Sequence, residues 1–142
     1  MNNQLVLPAL VLVLWTLFLL FWMTGKRMNA PGEKVDMSKV PAGLRGSDME
    51  GALPKTTVWM AHNHTHLHEQ PTLFYATVAF AAIAGAASAI DVYLAWGYVG
   101  LRIAHSLWQS MVNTIQLRFM LFLGATLCLV ALAVRTVLVV TA

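Results

Sequence analysis

Four long apolar stretches, separated by one polar segment and two short breaks, set the pattern of this chain. The first, residues 5–23, is a near-continuous apolar run, long enough as a helix to cross ~30 Å of hydrocarbon. No basic residue precedes it and no small-x-small site closes it before Gly25-Lys26-Arg27. It therefore reads as a retained span and not a cleaved leader, with Pro8 tolerated in its first turn. Trp15 falls mid-span, and Trp22 is placed like an interfacial anchor. Residues 25–55 are polar and broken at Pro31-Gly32, Pro41, Gly43, Gly46, Gly51 and Pro54, which predicts an irregular loop with short helical turns. Such a loop is a solvated connector or, being long, a lid over a site. Thr56 or Thr57 is expected to cap a second helix whose apolar part spans 72–90, with Pro71 kinking it without ending it. Its later half is rich in Ala, with Gly85 and Ser88, and small residues let helices approach closely. A tight turn at about Asp91 leads into a third span, 92–112. The fourth, 119–140, carries Gly124, Cys128 and an Arg135 expected to snorkel to the interface.

Polar residues interrupt this pattern in a regular way. Arg102, His105, Gln109, Asn113 and Gln116 follow one another at spacings of three, four, four and three, which on a continuous helix stacks all five on one face. A charge at bilayer depth costs roughly 2.5–3.5 kcal/mol on insertion scales, so this stripe must face protein or a wet cavity. At the start of the second helix His62, His66 and Glu69 share a face as well. Counting outward from a turn at Asp91 sets Glu69 level with Asn113 and His66 level with Gln116, and joins both sets into one pocket. Arg102 and Arg118, with Lys26 and Arg27 nearby, suit a ligand bearing carboxylates. Glu69 would take an ammonium or amide, and the flanking spans would admit a lipophilic second ligand. The competing reading is that Arg102, Glu69, Asn113 and Gln109 pair with one another and hold the bundle together.

Composition agrees with the membrane reading. The chain has 142 residues, 58% hydrophobic and 11% charged, with mean hydropathy +0.67, whereas a soluble domain is about a quarter charged. One domain over 1–142 is expected. Six of the nine basic residues lie in the 25–55 loop, which places that loop in the cytoplasm and both termini outside. The net charge of +3 comes without an aromatic-interleaved basic patch, so nucleic acid is not a predicted partner. Cys128 is alone and reads as a small hydrophobe. His62 and His66 with Glu69, or His64 with His68, invite a metal reading. No second ligand set occurs elsewhere, and no physiological metal is expected.

The string LAWGYVGLRIAHSLWQSMVNTIQLRF resembles the third helix and following turn of the MAPEG family, membrane-associated proteins of eicosanoid and glutathione metabolism, in its bacterial members. HLHEQPTLFYA resembles that family's second-helix entry, and the likeness covers the four-span layout but not the 25–55 loop. The resemblance implies an all-α, four-helix membrane bundle assembled as a homotrimer, multi-pass in the bacterial inner membrane, with glutathione bound between subunits near the cytoplasmic side. It implies transfer of glutathione to lipophilic electrophiles or reduction of lipid hydroperoxides. Glu69, Arg102, His105 and Arg118 match glutathione-pocket positions, with Arg118 stabilising the thiolate; His62, His66, Gln109 and Asn113 complete the candidate binding set. The chain departs from the family pattern in several places. His66 stands where Asn is usual, His62 where Arg is common, and Gln109 where eicosanoid-handling members have Tyr. Phe119 and Phe122 replace a Ser and a Tyr near the sulfur. Eicosanoid-synthase chemistry is therefore not expected, and a member that binds a thiol or lipid without turnover is the alternative.

Overall fold

The computed structural model describes residues 4–30, 38, 40–86 and 88–142. Among them four long helices stand in an antiparallel array: α1 (Val6–Met28), α2 (Lys55–Ile83), α3 (Ala89–Met111) and α4 (Ile115–Thr141). A short 3-10 helix, Gly46–Ala52, lies between α1 and α2. Each long helix buries one stripe at helical spacing. In α1 it is Pro8, Leu12, Thr16 and Leu19; in α4 it is Ala125, Leu129, Leu132 and Thr136. α2 buries Met60, Asn63, Leu67, Pro71, Phe74, Val78 and Ala81, and runs through Pro71 without a break. A proline removes one ladder hydrogen bond, which the packed surroundings of a bundle tolerate.

The helix ends depart from expectation, and the departures move residues. α1 continues past residue 23 to Met28 and carries Lys26 and Arg27 in its last turn. α2 starts after Pro54 without a threonine side-chain cap, because the Pro54 carbonyl itself accepts from the Thr57 and Val58 amides. The turn expected at Asp91 lies earlier: α2 stops at Ile83, and Gly85 takes a positive φ of 71° that favours glycine. Ser88 then caps α3, its hydroxyl accepting from the Asp91 amide while Asp91 Oδ2 accepts from the Ser88 amide at 2.9 Å. Arg135 reaches the α2–α3 turn: its Nε donates to Asp91 Oδ1 at 2.5 Å and its Nη2 to Ser88 Oγ at 2.9 Å, which ties α4 to that turn.

α3 and α4 make the most extensive contact between any two helices. Two glycines allow it. A Cβ on Gly97 would stand 3.3 Å from Cys128 Sγ, and one on Gly124 would stand 3.2 Å from Leu101 Cδ1. The alanine-rich end of α2 contributes less to close packing than expected, since Ala76, Ala79 and Ala84 face outward. Phe74 stacks on the fully buried Tyr98 with ring centroids 4.2 Å apart, locking α2 to α3.

The exterior of the molecule is apolar, and polar side chains are buried within its hydrophobic core. Leu14, Phe21, Ile83, Phe119, Leu127 and Leu138 are exposed, while Asn63, Arg102 and Gln109 are among its most deeply buried side chains. α1 and α4 are long and apolar enough to cross a membrane. α2 and α3 carry the polar residues of the interior.

Candidate functional site

Where α2, α3 and α4 meet near the start of α4, a groove of about 200 Å³ is lined by His66, His105, Ile115, Arg118, Phe119 and Phe122. Its polar end is built from three helices. His66 comes from α2 and His105 from α3, their rings nearly parallel at 10° with centroids 6.3 Å apart. Arg118 comes from the first turn of α4, which begins at Ile115 and so takes in a residue expected to lie in the connection before it. The chain turns into α4 through Asn113, whose φ of +56° is one that Asn tolerates better than most residues. That turn aims the Asn113 side chain back at α4, and its Oδ1 accepts from Arg118 Nη1 at 2.6 Å. The guanidinium is thereby fixed at the groove with N–H donors to spare. Phe122 closes the wall, 6.2 Å from the His105 ring and 5.8 Å from the Arg102 guanidinium carbon.

Arg102 lies beneath this surface, 1% exposed. Its Nη2 donates to the backbone carbonyl of His66 at 2.8 Å, while Nε and Nη1 are buried without a hydrogen-bond partner among the described residues. A buried cation with two idle donors costs free energy unless an acceptor reaches it. His66 itself lies before the apolar length of α2.

The five-residue stripe expected on α3 is interrupted. Arg102, His105 and Gln109 lie on the helix and are buried, but α3 ends at Met111, so Asn113 belongs to the turn and Gln116 to the exposed side of α4. The pairings of Glu69 with Asn113 and of His66 with Gln116 do not form. With the turn near Gly85, His66 lies level with Arg102 and His105. Glu69 is exposed and, among the described residues, makes no side-chain hydrogen bond, so it is not in the groove. His62 does not line the groove either; its Nε2 is 3.0 Å from Glu50 Oε2 of the 3-10 helix. The loop thus meets α2 at His62, one turn before His66, while Lys34 and Lys39 lie outside the described residues. His64 and His68 meet with ring centroids 4.5 Å apart and planes tilted by 50°, and no group of three or more His, Cys, Asp or Glu among the described residues is arranged to hold a metal.

A second polar cluster was missed by sequence reasoning. Asn63 Nδ2 donates to Ser106 Oγ at 2.7 Å and Ser110 Oγ at 3.0 Å, and Trp15 Nε1 donates to the same Ser106 Oγ at 3.0 Å. This cluster joins α1, α2 and α3 and explains a tryptophan placed mid-span. The signal lay in the i, i+4 spacing of Ser106 and Ser110 beside His105 and Gln109. Gln109 Oε1 and Asn63 Oδ1 are buried without hydrogen-bond partners among the described residues.

Compared with known proteins, the chain matches the model of the MAPEG family over residues 5–138. No curated protein and no solved structure matches it.

Proposed function

The chain belongs to the MAPEG family, and on that premise we propose that it is a membrane-bound glutathione transferase or peroxidase. It would add a glutathione thiolate to lipophilic electrophiles or reduce lipid hydroperoxides. The observation that carries this reading is Arg118, held by Asn113 at the head of a groove that His66 and His105 line with it and whose apolar wall is Ile115, Phe119 and Phe122. The thiolate is the nucleophile in either reaction, and a fixed guanidinium stabilises it beside an apolar surface suited to a lipophilic partner. Phe119 and Phe122 bring no hydroxyl to the groove, which leaves Arg118 as the cation for activation. The idle Nε and Nη1 of Arg102 fit a carboxylate of the tripeptide. The exposed Glu69 fits a ligand held between subunits of a homotrimer. In this reading all four helices lie in the bacterial inner membrane, with the 25–55 loop cytoplasmic and both termini outside.

The test is turnover of purified protein in lipid or detergent with a chlorodinitrobenzene and with a fatty-acid hydroperoxide. Arg118→Gln is expected to lower kcat by about 10²-fold, the usual cost of losing a donor to a developing anion, while binding of S-hexylglutathione persists. A variant as active as the parent would contradict the assignment. The second reading, a thiol- or lipid-binding member without turnover, is favoured by the two phenylalanines. It stands if the parent binds S-hexylglutathione and turns over neither substrate.

A further inference from the structure

We propose that His66 is the proton acceptor of the groove: it takes the proton of the incoming thiol and leaves a thiolate between its own imidazolium and Arg118. This rests on the functional reading above and assigns the step that Arg118 cannot perform. A guanidinium stabilises an anion but is already protonated, so it accepts nothing. In the transfer one S–H bond breaks and one N–H bond forms on the imidazole. The net charge is unchanged, and the proton stays on the protein until an alkoxide or solvent takes it.

Geometry singles out His66. It lines the groove with Arg118, and its carbonyl is held by Arg102 Nη2 at 2.8 Å, which fixes where its ring projects. His105 is the other imidazole in the groove, but it is 3% exposed, lies beneath His66 and is packed against Phe122. A proton placed there would sit in a drier position beside the Arg102 cation. His62 and Glu69 share α2 with His66 but do not line the groove. The charged groups acting on His66 come from every helix around it. Glu69 and His62 face it from α2, Arg102 from α3 and Arg118 from α4. A neutral imidazole at the groove offers a ring nitrogen able to accept a proton. Once the thiolate forms, its negative charge stabilises the imidazolium, as in a thiolate–imidazolium pair.

The experiment needs no turnover. Protein and glutathione are mixed in weakly buffered detergent solution containing a pH indicator, while the ultraviolet absorbance of the thiolate is followed across pH. In the parent protein near pH 7, thiolate is expected to appear with little proton release, because His66 keeps the proton. In His66→Asn the midpoint for thiolate formation should rise by about one to two pH units, and each thiolate should release a proton to the indicator. His66→Gln should repeat this with a different amide, and both variants should bind S-hexylglutathione, which has no thiol proton, as the parent does. Full proton release by the parent, bound glutathione without thiolate, or an unshifted midpoint in both variants would overturn the role of His66 alone. Loss of S-hexylglutathione binding in both variants would replace that role with one in binding. A parent protein that binds neither ligand would overturn the functional reading along with it.

Discussion

Three basic side chains stand at different depths around the groove. Arg118 is at the groove surface, His105 is packed behind it, and Arg102 is buried with one N–H spent on the His66 carbonyl. Asn63, Ser106 and Ser110 were not legible, since serines in a membrane helix are unremarkable and Asn63 was hidden in a run of four histidines. Their hydrogen bonds nevertheless join three helices. Asn63→Ala should cost about 1 kcal/mol, since each such bond inside a membrane bundle is worth about 0.6 kcal/mol on average. Thermal or detergent unfolding of the variant measures this, and an unchanged midpoint would mean that the cluster contributes nothing net.

Helices as elements followed directly from apolar runs, whereas their ends did not. An apolar run shows that a helix exists, but its end depends on capping geometry that hydropathy does not carry. Asp91 looked like a break because it is charged. It is instead the third residue of a capping box, and the chain turns at Gly85, where a positive φ is needed. That displacement shifts the whole α2–α3 register, and it explains why His66 meets Arg102 and His105 and not Gln116. Contact between α3 and α4 also depends on single positions. Gly97→Ala should strain the pair, because its Cβ meets Cys128 Sγ at 3.3 Å, and Gly97→Val should cost about 1–3 kcal/mol through overpacking. Adding Cys128→Ala should recover part of that loss. Additive effects in this double-mutant cycle would show that the two residues do not press on each other.

Over the whole molecule, an apolar exterior around a hydrophobic core that also holds hydrogen-bonded polar side chains suits a bilayer, because no water there can satisfy polar groups. The high apolar content of the chain agrees with that exterior. Two helices, α1 and α4, are apolar enough to span a membrane, and the other two bring His66, Arg102 and His105 to the inner faces that meet α4. The proposed glutathione site is open to calorimetric titration of glutathione and S-hexylglutathione into the purified protein, with Arg102→Ala and the exposed Glu69→Ala as controls. Micromolar binding by the parent, lost in both variants, is expected. No heat of binding up to millimolar ligand would overturn the proposed site and leave Arg102 and its neighbours as the polar glue of the bundle.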